Sequence, residues 1–84
     1  MNSFLMALEL KGIYALSAAL AIGLAAMAGA IGMAITIAKA LDAIARQPEA
    51  DGKIKSGLIL GLVFIETAII FALIISILIV INIL

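Results

Sequence analysis

The chain reads as an all-α membrane protein, a two-transmembrane-helix antiparallel hairpin whose copies assemble into a homo-oligomeric ring. Three observations predict this. The 84 residues are 68% hydrophobic with zero formal net charge. Two long apolar stretches, from about Gly12 to Ala38 and from about Ser56 to Leu84, flank a single polar segment. Small residues form two opposed stripes along the first stretch. A soluble domain this short could not cover so much apolar surface with so few polar residues, so lipid must cover it.

Each stretch exceeds the roughly 20 residues that span a ~30 Å hydrocarbon core. The sequence places helix one at about 12–41, a polar connection at about 42–53 and helix two at about 54–84. Helix two is rich in Ile and Val, which favour strands in water, but lipid offers unpaired backbone groups no partner and enforces helix. Arg46-Gln47-Pro48 and Asp51-Gly52 mark the turn, because proline ends a helical ladder and glycine tolerates turn geometry. Arg46, Lys39, Lys53 and Lys55 lie in or beside the connection, leaving only Lys11 elsewhere. The positive-inside rule therefore puts the loop in the cytoplasm and both termini outside. Residues 1–10 have no basic start, so they are read as an interfacial lead-in to helix one rather than a cleaved signal.

Helix one carries the assembly signal. At about 100° per residue, Ala21, Ala25, Ala28 and Gly32 share one stripe, and Ala19, Gly23, Ala26, Ala30 and Ala34 share another roughly opposite. Small residues let membrane helices approach closely. Two such stripes suit a helix with a neighbour on each flank, and a repeated head-to-tail contact closes into a ring, here with helix one innermost. Helix two has one small stripe, Gly57, Gly61, Ala68, Ala72 and Ser76, which is expected to pack on helix one. Ser17, Thr36 and Ser76 are each expected to bond back to a carbonyl one turn earlier.

Glu66 is the residue that needs a function. It is the lone carboxylate within residues 58–84, and a charge deep in a bilayer costs at least ~2.5 kcal/mol. It lies about 18 Å along the helix from Ile54, near mid-membrane, and roughly opposite the small stripe of helix two. No basic residue of the chain shares that depth. The carboxyl is therefore expected to be neutral for most of the time, because lipid does not solvate its charged form. A neutral carboxyl can move through lipid, whereas an ionised one needs a counter-charge or a wet path from another protein. If a ring turns past such a partner, ion transfer and rotation become coupled.

Other chemistry is excluded by what is missing. The chain has no His and no Cys, which removes thiol chemistry and the usual transition-metal ligands, so no metal site is assigned. It carries no phosphate-binding loop or catalytic constellation, and is read as non-catalytic. The zero net charge gives no reason to expect a nucleic-acid partner.

The loop Ala45-Arg46-Gln47-Pro48-Glu49-Ala50, followed by Phe64-Ile65-Glu66-Thr67-Ala68, resembles the c-subunit of the F-type ATP synthase, the proteolipid of its rotor ring. The resemblance covers nearly the whole chain. It implies that Glu66 is reversibly protonated, coupling H+ flow to ring rotation and ATP synthesis, and that the partners are further copies of the chain, membrane lipid, the central stalk and the a-subunit of the stator. It assigns Arg46, Gln47 and Pro48 to the central-stalk contact and makes the stator's arginine the counter-charge of Glu66. It assigns Ala28, Ala30, Gly32 and Ala34 to ring packing, where alanine stands in place of most of the family's glycines. The expected location is a bacterial inner (plasma) membrane.

The coupling ion follows from departures from the pattern. Sodium-binding relatives resemble an oxygen cage with a glutamine on helix one, a hydroxyl directly after the carboxylate, and a tyrosine beyond. Aligned through the loop, those positions are Met33, Thr67 and Phe71, so only Thr67 keeps an oxygen. Sodium prefers hard oxygen ligands. A proton needs only Glu66 and one acceptor, such as a backbone carbonyl near Phe64, with Met33 a wall of the site. The reading is therefore H+, with no cofactor, and Na+ the alternative. A holin-like pore-forming hairpin and a half-size proton-coupled exporter remain rivals. The first has no need of Glu66, and the second needs more polar substrate-facing residues than two such helices offer. Assembly state in mild detergent separates them: a uniform ring, a broad ladder or a dimer.

Overall fold

In lipid, every backbone N–H and C=O must be satisfied within its own segment, which two unbroken helices achieve. The computed structural model describes residues 2–84 as helix α1 (Asn2–Arg46), one turn of 3-10 helix (Pro48–Ala50) and helix α2 (Asp51–Ile83). Both helices are long and apolar enough to cross a membrane. They pack side by side as a hairpin with overall dimensions of 70 × 16 × 10 Å.

The connection is far shorter than the predicted 42–53. Gln47 leaves helical geometry most sharply, at φ −133° and ψ 72°, because the residue before a proline is driven out of the α region, and Ala50 departs more mildly at φ −94° and ψ 8°. Gln47 N–H still donates to Ala43 O (2.9 Å), and Ala50 N–H to Gln47 O (2.9 Å). The charges that marked a loop instead stabilise helix ends. Arg46 Nη2 pairs with Asp42 Oδ2 at 3.2 Å, and Lys55 Nζ with Asp51 Oδ2 at 3.1 Å, both at the i,i+4 spacing that supports helix. Polarity there reports water, not irregular backbone.

Helix one also begins earlier than about 12. At 1.5 Å per residue, 45 helical residues are about 68 Å long, which accounts for nearly all of the 70 Å extent. The segment expected to lie in the interface is thus a collinear continuation of α1.

Small residues on α1 receive large ones from α2. The inward face of α1 includes Ala18, Ala21, Ala25, Gly29, Gly32 and Thr36, and that of α2 includes Leu58, Gly61, Ile65, Ile69, Ala72 and Ser76. A methyl group at Gly29 would overlap Ile69 Cδ1, whereas one at Gly32 would sit 3.8 Å from Ile65 Cδ1, an ordinary contact. This corrects the expected packing stripe of α2: Gly61, Ala72 and Ser76 face α1, but Gly57 and Ala68 are exposed. The seam needs α2 to supply bulk where α1 supplies space.

Ser76 differs from the local bond expected of it. Its hydroxyl donates across the seam to Ala18 O at 2.8 Å, while Ser17 and Thr36 donate one turn back, to Ile13 O (2.9 Å) and Gly32 O (2.8 Å). Ser76→Ala is expected to weaken the hairpin by about 0.6 kcal/mol, the average for an interhelical hydrogen bond in a membrane; equilibrium unfolding in mixed micelles measures it. Ala18 and Ser76 are the buried residues among those described, at 4% and 6% exposure. Two helices cannot enclose a core, so lipid or further protein must cover the remainder.

Candidate functional site

Glu66 stands at the edge of the helix seam rather than opposite it. The buried face of α2 runs through Leu62, Ile65, Ile69 and Ser76, and Glu66 lies about 90° round the helix from its centre. The expected position, roughly opposite the seam, assumed that the small residues of α2 mark its packed face, which they do not. Glu66 lines a shallow groove with Ile59, Leu62 and Val63 of α2 and Met33 of α1. Its carboxylate is exposed and joins neither ion pair found among the described residues.

The hairpin thus brings Met33 to Glu66, while the side chains of Thr67 and Phe64 lie outside the groove. Thr67 is one residue on, about 100° further round, and its hydroxyl donates to Val63 O at 2.8 Å. Phe64 is 69% exposed and outside the groove. Phe71 is likewise exposed on that outer side. Glu66 is the one acidic or polar side chain lining the groove; the others are a thioether and three hydrocarbons.

The small stripes divide between two tasks. Ala21, Ala25 and Gly32 border the seam, while Ala28 is exposed beside it. On the opposite flank Ala19, Gly23, Ala30 and Ala34 are all exposed, and Ala26 is half-buried. Arg46, Gln47 and Pro48 are exposed together at the hairpin tip. Sequence reasoning missed Gly29, the glycine that α2 approaches most closely. A signal for it exists: a glycine within a helix costs roughly 1 kcal/mol relative to alanine, so one amid alanines requires a packing reason.

The sequence model of the ATP synthase C-subunit family matches residues 9–79. The chain belongs to that family. Relatives named as ATP synthase c-subunits agree with this. That of Gloeobacter violaceus is 50% identical over 62 residues, covering 74% of this chain and 76% of the relative. That of Synechococcus elongatus is 48% identical over 61 residues, covering 73% and 75%. The chloroplast protein of Emiliania huxleyi is 42% identical over 66 residues, covering 79% and 80%. Membership makes the chain a membrane component of an ATP synthase and accounts for its two apolar helices.

Proposed function

We propose that the chain is the non-catalytic rotor-ring subunit of an F-type ATP synthase, in which Glu66 is reversibly protonated and couples H+ flow to ring rotation and ATP synthesis. The observation that carries this is the placement of one carboxylate in an otherwise apolar groove on the flank of a membrane hairpin. A neutral Glu66 suits lipid. An ionised Glu66 requires the arginine of the stator's a-subunit, and alternation between the two moves one proton per passage. The electrical part of the gradient supplies about 2.3 kcal/mol per charge per 100 mV.

In this reading α1 is innermost, and its two flanks contact neighbouring copies through Ala28 on one side and Ala30 and Ala34 on the other, while Gly32 is taken up by the seam with α2. Its back face, opposite α2, presents exposed Leu16, Leu20, Leu24, Met27 and Ile31. That face would make the ring's centre apolar, so the ion passes at the rim through Glu66 and not through a central pore, unlike a holin. Arg46, Gln47 and Pro48 form the central-stalk contact. The loop faces the cytoplasm and both ends face outward across the bacterial plasma membrane. The donor set supports H+ over Na+, since Met33, Ile59, Leu62 and Val63 offer no hard oxygen.

The test is dicyclohexylcarbodiimide labelling of the membrane-reconstituted protein across pH, with and without Na+, read by mass spectrometry. The reagent attacks the protonated carboxyl, so selective labelling of Glu66 that fades only as pH rises is the expected result. Protection by Na+ would reassign the coupling ion, and absence of labelling at Glu66 would remove the rotor mechanism.

A further inference from the structure

The part of α1 farthest from the loop is an apolar rod with nothing on it. Phe4, Leu5, Met6, Leu8 and Leu10 are all exposed, Phe4 by 63% and Met6 by 62%. The family match begins only at residue 9, so this segment lies almost wholly outside what the family describes.

Its cover can be found by elimination. No described part of α2 buries any of residues 2–17. With Lys39 and Tyr14 at the two interfaces, the hydrocarbon core ends short of it. Tyr14 and Asn82 line one shared groove at the same height on the two helices, and tyrosine favours the membrane–water interface. Lys39 anchors the other interface. The 25 residues from Lys39 to Tyr14 rise about 37 Å, already more than a ~30 Å hydrocarbon core. Because α1 runs nearly straight through the 70 Å length of the molecule, Asn2 stands about 18 Å beyond Tyr14. The remaining apolar surface at that height is the same segment of the next copy.

We propose that residues 2–10 of adjacent copies pack side by side, prolonging the ring contact into an apolar collar beyond the membrane surface remote from the loop. This rests on the ring reading above. The helix phase supports it: Ser3 and Leu5 lie 25 residues before Ala28 and Ala30, within about 20° of seven full turns. They therefore occupy the same two flanks as those ring-packing alanines. Glu9 falls on the back of α1 and Lys11 on the side of α2, so neither charge enters the collar contact.

The chain has no cysteine, so any disulfide between its copies must come from the introduced thiols. Ser3→Cys with Leu5→Cys puts one thiol on each flank of a single helix, where they cannot reach each other. Ala28→Cys with Ala30→Cys does the same within the membrane. Mild oxidation is expected to give a reducible ladder of multimers from both variants. A ladder from the Ala28/Ala30 variant with only monomer from the Ser3/Leu5 variant would overturn the collar and leave the ring standing. Monomer from both would overturn the ring itself.

Discussion

Glu66→Gln is expected to reduce proton-driven ATP synthesis by the reconstituted complex to background while leaving the ring assembled. The amide matches the neutral carboxyl in size and removes only its ability to release a proton. Assembly should survive because the groove partners of Glu66 are Met33, Ile59, Leu62 and Val63, and no hydrogen bond or ion pair among the described residues depends on the charge. Loss of transport is therefore not a symptom of a damaged fold. Glu66→Asp keeps the chemistry but withdraws the carboxyl by one methylene, and should retain a reduced rate. The measurements are acid-pulse ATP synthesis in proteoliposomes and ring mobility in sodium dodecyl sulfate gels. Undiminished synthesis by Glu66→Gln would eliminate this carboxyl as the carrier.

Gly29→Leu should separate the helices that Glu66→Gln leaves together. Even a methyl at Gly29 meets Ile69 Cδ1, and α1 cannot move away without losing the Ser76 to Ala18 bond. Overpacking of this kind costs about 1–3 kcal/mol. Gly29→Ala should sit at the lower end, since the end of the Ile69 side chain can rotate aside. Gly32→Ala should be nearly neutral, because its added methyl would find an ordinary contact at 3.8 Å. Ile69→Ala should restore much of the stability lost in Gly29→Leu by vacating the volume the leucine enters. The observable is the temperature at which the assembly dissociates in sodium dodecyl sulfate. Equal midpoints for Gly29→Leu and Gly32→Ala would show that the seam does not rely on this glycine.

Local physical requirements were the most legible in the sequence. Apolar length, the proline at 48 and the isolation of Glu66 follow from the chain alone, and the two helices and their turn appear where those signals stand. Legibility failed where the same residue suits two roles. Asp42, Arg46 and Asp51 fell within the polar connection expected at about 42–53, yet at four-residue spacing Asp42 pairs with Arg46 and Asp51 with Lys55 to stabilise helix ends. Gly57 and Ala68 looked like packing residues because they are small, yet they are exposed. Smallness permits close approach without specifying which face is approached.

The sequence by itself determined that this chain crosses a membrane twice and carries one carboxylate where a charge is costly, because bilayer thickness and desolvation act on composition and length. Only the tertiary structure decided which way that carboxylate points. The rotation of each helix about its axis is set by complementarity between Ile65 and Ile69 on one and Gly29 and Gly32 on the other, and that match exists only when the two surfaces meet. It turns Glu66 and Met33 into one groove at the hairpin's edge and turns Phe64 and Thr67 out of it.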